Sequence, residues 1–73
     1  MTLTVAIGGL GAIGLDLARA LDRGVPGLRL VAVSARDQAR ARANVAGFGA
    51  APAVVELADL AQADIVVEAA PAA

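Results

Sequence analysis

The six residues Gly9-Leu10-Gly11-Ala12-Ile13-Gly14 constrain the fold more than any other stretch of this chain. They follow Thr2 to Ile7, a β-branched and apolar run that reads as a buried strand. From Ala12 the apolar period becomes helical, with Ile13, Leu17 and Leu21 on one stripe and Gly14 and Ala18 beside it. Asp16, Arg19, Asp22 and Arg23 fall on the other side. Gly24 is a suitable residue to close the helix, and Pro26 forbids its continuation. A strand turning through glycines into a helix opens a βαβ unit, and a second strand, Leu28 to Val33, follows at the required distance.

The alternation continues. Asp37 can cap a second helix from Gln38 to Ala46, with Arg40 and Arg42 outward and Ala39, Ala43 and Ala46 inward, and Gly47 and Gly49 end it. Val54-Val55 reads as a short third strand, Leu57 to Ala61 as a helical turn or two, and Asp64 to Ala70 as a fourth strand stopped by Pro71. Strands alternating with helices require a parallel sheet with right-handed crossovers. The expected architecture is α/β, a partial Rossmann fold (a doubly wound parallel sheet) with four strands in the order 3-2-1-4. In that order the fourth strand is a long apolar edge.

Seventy-three residues make one domain at most, and a chain of this size buries only about 60% of its unfolded surface. With no Cys and no His, neither disulfides nor a structural zinc can reinforce the core. The core must come from Ala, Val, Leu and Ile, because the chain is 59% hydrophobic with a single aromatic residue. Small side chains suit close packing of helices on a sheet. The chain is therefore expected to be the N-terminal part, residues 1–73, of a dinucleotide-binding domain whose catalytic domain lies elsewhere in a longer protein.

A net charge of −1 offers nothing to nucleic acid, and the six cations, all Arg, are spread from Arg19 to Arg42 rather than clustered. The apolar runs fall far short of the roughly 18 residues of a membrane span, and there is no basic leader. The expected location is cytoplasmic.

The spacing G-x-G-x-x-G is weak evidence alone and strong evidence between a strand and a helix. Gly9 permits the tight turn, Gly11 removes a side chain where a pyrophosphate must approach the backbone, and Gly14 lets the helix lie close to the first strand. First-turn N–H groups around Ala12 and Ile13 have no partners within the helix and, with the helix dipole, favour an anion. Leu10 completes the turn. A tight turn without a ligand is the plain alternative, and a loop for S-adenosylmethionine is a competitor. A P-loop is excluded because no Gly-Lys-Ser/Thr follows. The favoured ligand is a nicotinamide dinucleotide.

An Asp or Glu ending the second strand would serve the ribose of NAD. Here Ser34 stands at that place, neutral and able to hydrogen-bond a 2′-phosphate, with Arg36 close behind as a planar, permanently charged donor. The two favour NADP, or a dual specificity for NADP and NAD. Asp37 is placed to serve the ribose of NAD instead, unless it is spent as a helix cap. At the end of the fourth strand, Ala69 and Ala70 leave room for the nicotinamide ribose. Glu68, on the same strand, needs a hydrogen-bonding partner or access to the cleft.

Three blocks together resemble the N-terminus of the L-aspartate dehydrogenase family: Val5 to Gly14, Leu30 to Asp37 and Ala63 to Ala70. Homoserine dehydrogenase-like cofactor domains are similar less closely. The resemblance implies an NAD(P)-dependent oxidoreductase that deaminates L-aspartate to oxaloacetate through an imine, working as a homo-oligomer. It implies cofactor contacts at Gly9, Gly11, Ala12, Ile13 and Gly14, and at Ser34, Arg36 and Ala70. The family's catalytic His has no counterpart here, so no catalytic residue is carried over and the chain alone is expected to be inactive. A dinucleotide-sensing module without chemistry is the alternative from another class.

Overall fold

The computed structural model describes residues 1–69. Strand β1 (Leu3–Gly8) leads through the glycine turn into helix α1 (Ala12–Arg23), and β2 (Leu28–Ser34) leads into α2 (Gln38–Val45). A two-residue β3 (Ala53–Val54), a 3₁₀ helix (Leu57–Gln62) and β4 (Ile65–Glu68) follow in the described residues. The four strands are parallel and lie in the order β3-β2-β1-β4, as the alternation predicts.

One face of the sheet carries the core. Val5, Ile7, Leu30 and Val33 pack with Ala18 and Leu21 of α1 and Val45 of α2. Leu30 and Val33 are three residues apart, an odd spacing that places two side chains on opposite faces of a regular strand. An irregularity in register resolves this: Val5 pairs with Leu30 but Ala6 pairs with Ala32, so Val31 is an extra residue in β2. Beyond it Ile7 pairs with Val33, and both apolar pairs face the helices.

The opposite face is covered by the 3₁₀ helix, whose Leu60 is 2% exposed. A Cβ on Gly8 would meet Leu60 Cδ1 at 3.3 Å and Leu57 Cδ1 at 3.5 Å, so the glycine in β1 lets this short helix sit close to the sheet. Successive residues of β1 thus touch covering layers on opposite sides: Ile7 meets the layer of α1, and Gly8 meets Leu60. This is the crevice-forming switch point of a doubly wound sheet.

The structure corrects the sequence reading in four places. In α1 the buried residues are Gly14, Ala18 and Leu21, and Ile13 is 77% exposed. The close approach of Gly14 to the preceding turn sets the rotation of the helix, and that turns Ile13 aside. In α2 the buried residues are Ala41 and Val45, while Ala39, Ala43 and Ala46 are exposed. A helix this rich in alanine offers little contrast between its faces, and its largest apolar side chain, Val45, decides which one turns inward. Strand β3 begins at Ala53 and ends at Val54, although the Val55 N–H still donates to the Val33 carbonyl at 2.9 Å. Strand β4 is four residues long, with half-buried Ile65 and Val67 alternating with exposed Val66 and Glu68, so its apolar edge is shorter than expected.

Two side-chain bridges hold the periphery. The Asp64 carboxylate accepts from the Thr4 N–H at 2.8 Å and from its hydroxyl at 3.0 Å, while the Asp64 N–H donates to Thr4 Oγ1 at 3.0 Å. These contacts clip the start of β4 to β1 and hold the Asp64 carboxyl below the ordinary aspartate range, first through the backbone hydrogen bond and then through the hydroxyl. Asp22 accepts from the Ala50 N–H at 2.8 Å and ties α1 to the loop before β3.

Candidate dinucleotide site

The carboxyl ends of β2, β1 and β4 are joined beyond the regular pairing. The Gly9 N–H donates to the Ser34 carbonyl at 2.9 Å, and the Ala69 N–H donates to the Gly8 carbonyl at 2.8 Å. The glycine turn is therefore suspended between the neighbouring strands at the edge where ligands of such sheets bind.

The three motif glycines differ in what requires them. Gly9 has φ +96°, a left-handed conformation that residues with a Cβ rarely adopt. Gly14 is buried, and a Cβ there would overlap the Gly9 carbonyl oxygen and stand 3.0 Å from the carbonyl carbon. Gly11 has neither constraint: its φ is −72°, and a Cβ added there meets nothing within 4 Å. Gly11 is the N-cap residue of α1, and without a side chain it leaves the backbone of the turn open to close approach.

Helix α1 starts from Gly11 with no side-chain cap and no acidic residue in its first turn. Its first regular hydrogen bond is the Leu15 N–H to the Gly11 carbonyl at 2.8 Å. The N–H groups before Leu15 have no intrahelical acceptor, and the positive end of the helix dipole is not offset by a carboxylate. An anion such as a pyrophosphate fits this end.

Two clefts flank the turn. One, of about 670 Å³, lies on the side of the 3₁₀ helix and is lined by Gly8, Ser34, Gln38, Glu56, Leu57 and Glu68, among others. The second, of about 680 Å³, opens between the N-terminal ends of α1 and α2 and includes Leu10, Gly11, Ala12, Asp37 and Arg40. Gly9, Ala35 and Arg36 border both.

Of the residues expected from sequence, Gly9, Leu10, Gly11, Ala12, Ser34 and Arg36 come together around these clefts. Ile13 and Gly14 line neither: Ile13 points out from the first turn, and Gly14 lies beneath it against Gly9. Ser34 is 6% exposed, and Arg36 is exposed. Ala70 lies outside the described residues. Glu68 is exposed on the first cleft, so its charge has solvent and cleft access without a buried partner.

Asp37 is used as the cap of α2, its Oδ1 accepting from the Arg40 N–H at 3.0 Å. Sequence reasoning overlooked Gln38, Arg40, Glu56 and Leu57. All lie just past the ends of β2 and β3, and the rule that ligands bind beyond the carboxyl ends of parallel strands was the available signal. Gln38 Nε2 donates to Glu56 Oε1 at 3.1 Å, linking α2 to the loop after β3 along the wall of the first cleft.

Comparison with known proteins agrees with this geometry. The profile of the family described as "Homoserine dehydrogenase, NAD binding domain" matches residues 9–73. The L-aspartate dehydrogenase of Bradyrhizobium diazoefficiens is 50% identical over 70 residues, covering 94% of this chain and 25% of that protein. L-aspartate dehydrogenase 3 of Bordetella bronchiseptica is 51% identical over 73 residues, covering 97% of this chain and 27% of its own. Inositol 2-dehydrogenase 1 of Saccharopolyspora erythraea is 49% identical over 49 residues, 67% of this chain and 14% of that one. The chain thus spans about a quarter or less of the length of these curated relatives. No solved structure gives a significant match. A four-stranded parallel sheet with a glycine turn at its switch point, matched from Gly9 onward by that profile, places the chain in the homoserine dehydrogenase NAD-binding domain family.

Proposed function

We propose that residues 1–73 form the N-terminal part of the cofactor domain of an oxidoreductase resembling L-aspartate dehydrogenase, with the pyrophosphate of NAD(P) lying against Gly9, Gly11 and the first turn of α1. The observation that carries this reading is the turn at Gly11, where the backbone is uncovered by any side chain beside a helix N-terminus with no cap and no acidic residue in its first turn. The likeness to two L-aspartate dehydrogenases supports the substrate class, an amino acid oxidised to an imine and hydrolysed to oxaloacetate. When bound, the dinucleotide supplies the hydride acceptor for that oxidation. The residues of this chain bind and orient it, and none is assigned a catalytic role.

Cofactor preference follows from the end of β2. Ser34 brings no charge to repel a 2′-phosphate, Arg36 brings a permanent cation, and the Asp37 carboxylate is engaged at its own helix. NADP is therefore the preferred dinucleotide. The resemblance further implies a homo-oligomeric parent protein, and a cytoplasmic location is our reading of the composition. Among the described residues no helix is long and apolar enough to cross a membrane.

Calorimetric titration of the chain with NAD and NADP, repeated on Gly11→Val, tests the binding reading. The variant should stay folded with a modest drop in melting temperature, since valine is a poor N-cap, and lose about tenfold or more in affinity for both dinucleotides, a loss of about 1.4 kcal/mol. Unchanged affinity in Gly11→Val would remove the turn from the site.

A further inference from the structure

Arg40 stands on the first turn of α2 and lines the second cleft together with Arg36 and the glycine turn. Neither Arg36 nor Arg40 forms an ion pair among the described residues; the pair present there is Arg19 with Asp16, at 3.9 Å. Arg42, by contrast, is tethered through Nη2 to Gln38 Oε1 at 3.4 Å and lines neither cleft. The second cleft has one carboxylate, Asp37, and that group accepts from the backbone N–H of Arg40. Two guanidinium groups against one capped carboxylate leave this cleft net positive. It also runs without interruption to Gly9 and Gly11.

A phosphate monoester is the ligand group such a cleft fits. It carries nearly two negative charges at neutral pH, and its tetrahedral oxygens accept paired N–H groups from more than one guanidinium. We propose that Arg40 is a second specificity-determining cation, which with Arg36 grips a phosphate on the adenosine 2′ position, and that Asp37 limits how strongly the cleft prefers it. This rests on the dinucleotide reading above and adds two residues to it. The cap has a double effect: it fixes the backbone of Arg40 at the mouth of the cleft, and it leaves there the one negative charge that opposes the phosphate.

The test is calorimetric titration of the full chain with NADP, NAD, adenosine 2′,5′-bisphosphate and AMP, for the wild type, Arg40→Ala, Arg40→Lys and Asp37→Ser. Arg40→Ala should weaken NADP and the bisphosphate about tenfold, leave NAD and AMP within about twofold, and flatten the salt dependence of NADP binding. Arg40→Lys should recover part of the loss, because it restores the charge without the planar fork. Asp37→Ser, which keeps a cap acceptor, should tighten NADP by about threefold or more and leave NAD unchanged. A thermal melt of each variant confirms that these exposed positions do not disturb the fold. Equal weakening of NAD and NADP, or no change in either, overturns the role of Arg40 and leaves the dinucleotide reading standing. A wild-type chain that binds neither dinucleotide overturns that reading, and this proposal with it.

Discussion

The carbonyl oxygen of Gly9 occupies the space that a Cβ on residue 14 would need. The first and last glycines of the turn are therefore packed against each other, and the middle one is free. Gly14→Ala must move backbone on one side or the other, since neither partner is a flexible side chain. We expect a loss of about 2 kcal/mol or more, at the upper end of overpacking costs, and in a chain with so small a core that approaches global unfolding. Thermal denaturation followed by circular dichroism checks it. Gly11→Ala is the control and should melt with the wild type, because its Cβ enters open space.

Arg36 borders both clefts, and in the proposed site it is the cation that would distinguish the two cofactors. Arg36→Ala should raise the NADP dissociation constant about tenfold or more and leave NAD nearly unchanged, as expected for loss of a charge-assisted contact. Small and equal effects on both would exclude it from a 2′-phosphate site.

Asp37 caps α2 through the Arg40 N–H. Asp37→Ala should cost about 1 kcal/mol of stability and Asp37→Ser only a few tenths, measured by urea denaturation at neutral pH. If Ser behaves like Ala, the cap is not what the carboxylate contributes.

Thr4 and Asp64 form a pH-sensitive clip between β1 and β4. The Asp64 carboxyl in the folded state is held below its unfolded value by the backbone and hydroxyl hydrogen bonds of Thr4. Its contribution is present in full above the unfolded value and is lost as pH falls through the lower folded value, so the window lies below about pH 4. Urea midpoints between pH 7 and 3 should fall more steeply for the wild type than for Asp64→Asn. Parallel curves would show that the clip does not titrate with folding.

Leu60 is the buried anchor of the 3₁₀ helix over Gly8. Leu60→Ala should destabilise by about 2–5 kcal/mol, since the short helix has no other buried residue to hold it. Loss of less than 1 kcal/mol, or about that, would mean the helix collapses into the space.

The strand order and the glycine turn were legible because they rest on strong local signals: a β-branched run, glycines at fixed spacing, and a period that changes from two to 3.6. The buried face of α2 was not, because Ala39, Ala41, Ala43 and Ala46 are equal in hydrophobicity and Val45 alone marks which face turns inward. The register slip at Val31 was equally hidden, since Leu30 to Val33 reads as a continuous apolar run whichever residue is the extra one. For the candidate site, the residues contiguous with the motif came into view, and Arg40, Glu56 and Leu57 did not. Their approach depends on where α2 and the 3₁₀ helix begin, which sequence defines only to within a residue or two.

Val31 is the residue that β2 can spare. Delete it, and Leu30 and Val33 stand two apart, so a regular strand turns both toward the helices and keeps their pairing with Val5 and Ile7. A further deletion makes the spacing odd again: either Leu30 leaves the core, or Val33 does and Ser34 turns with it away from the cleft. Relatives of this chain should therefore carry β2 either with this extra residue and its irregular register, or one residue shorter and regular.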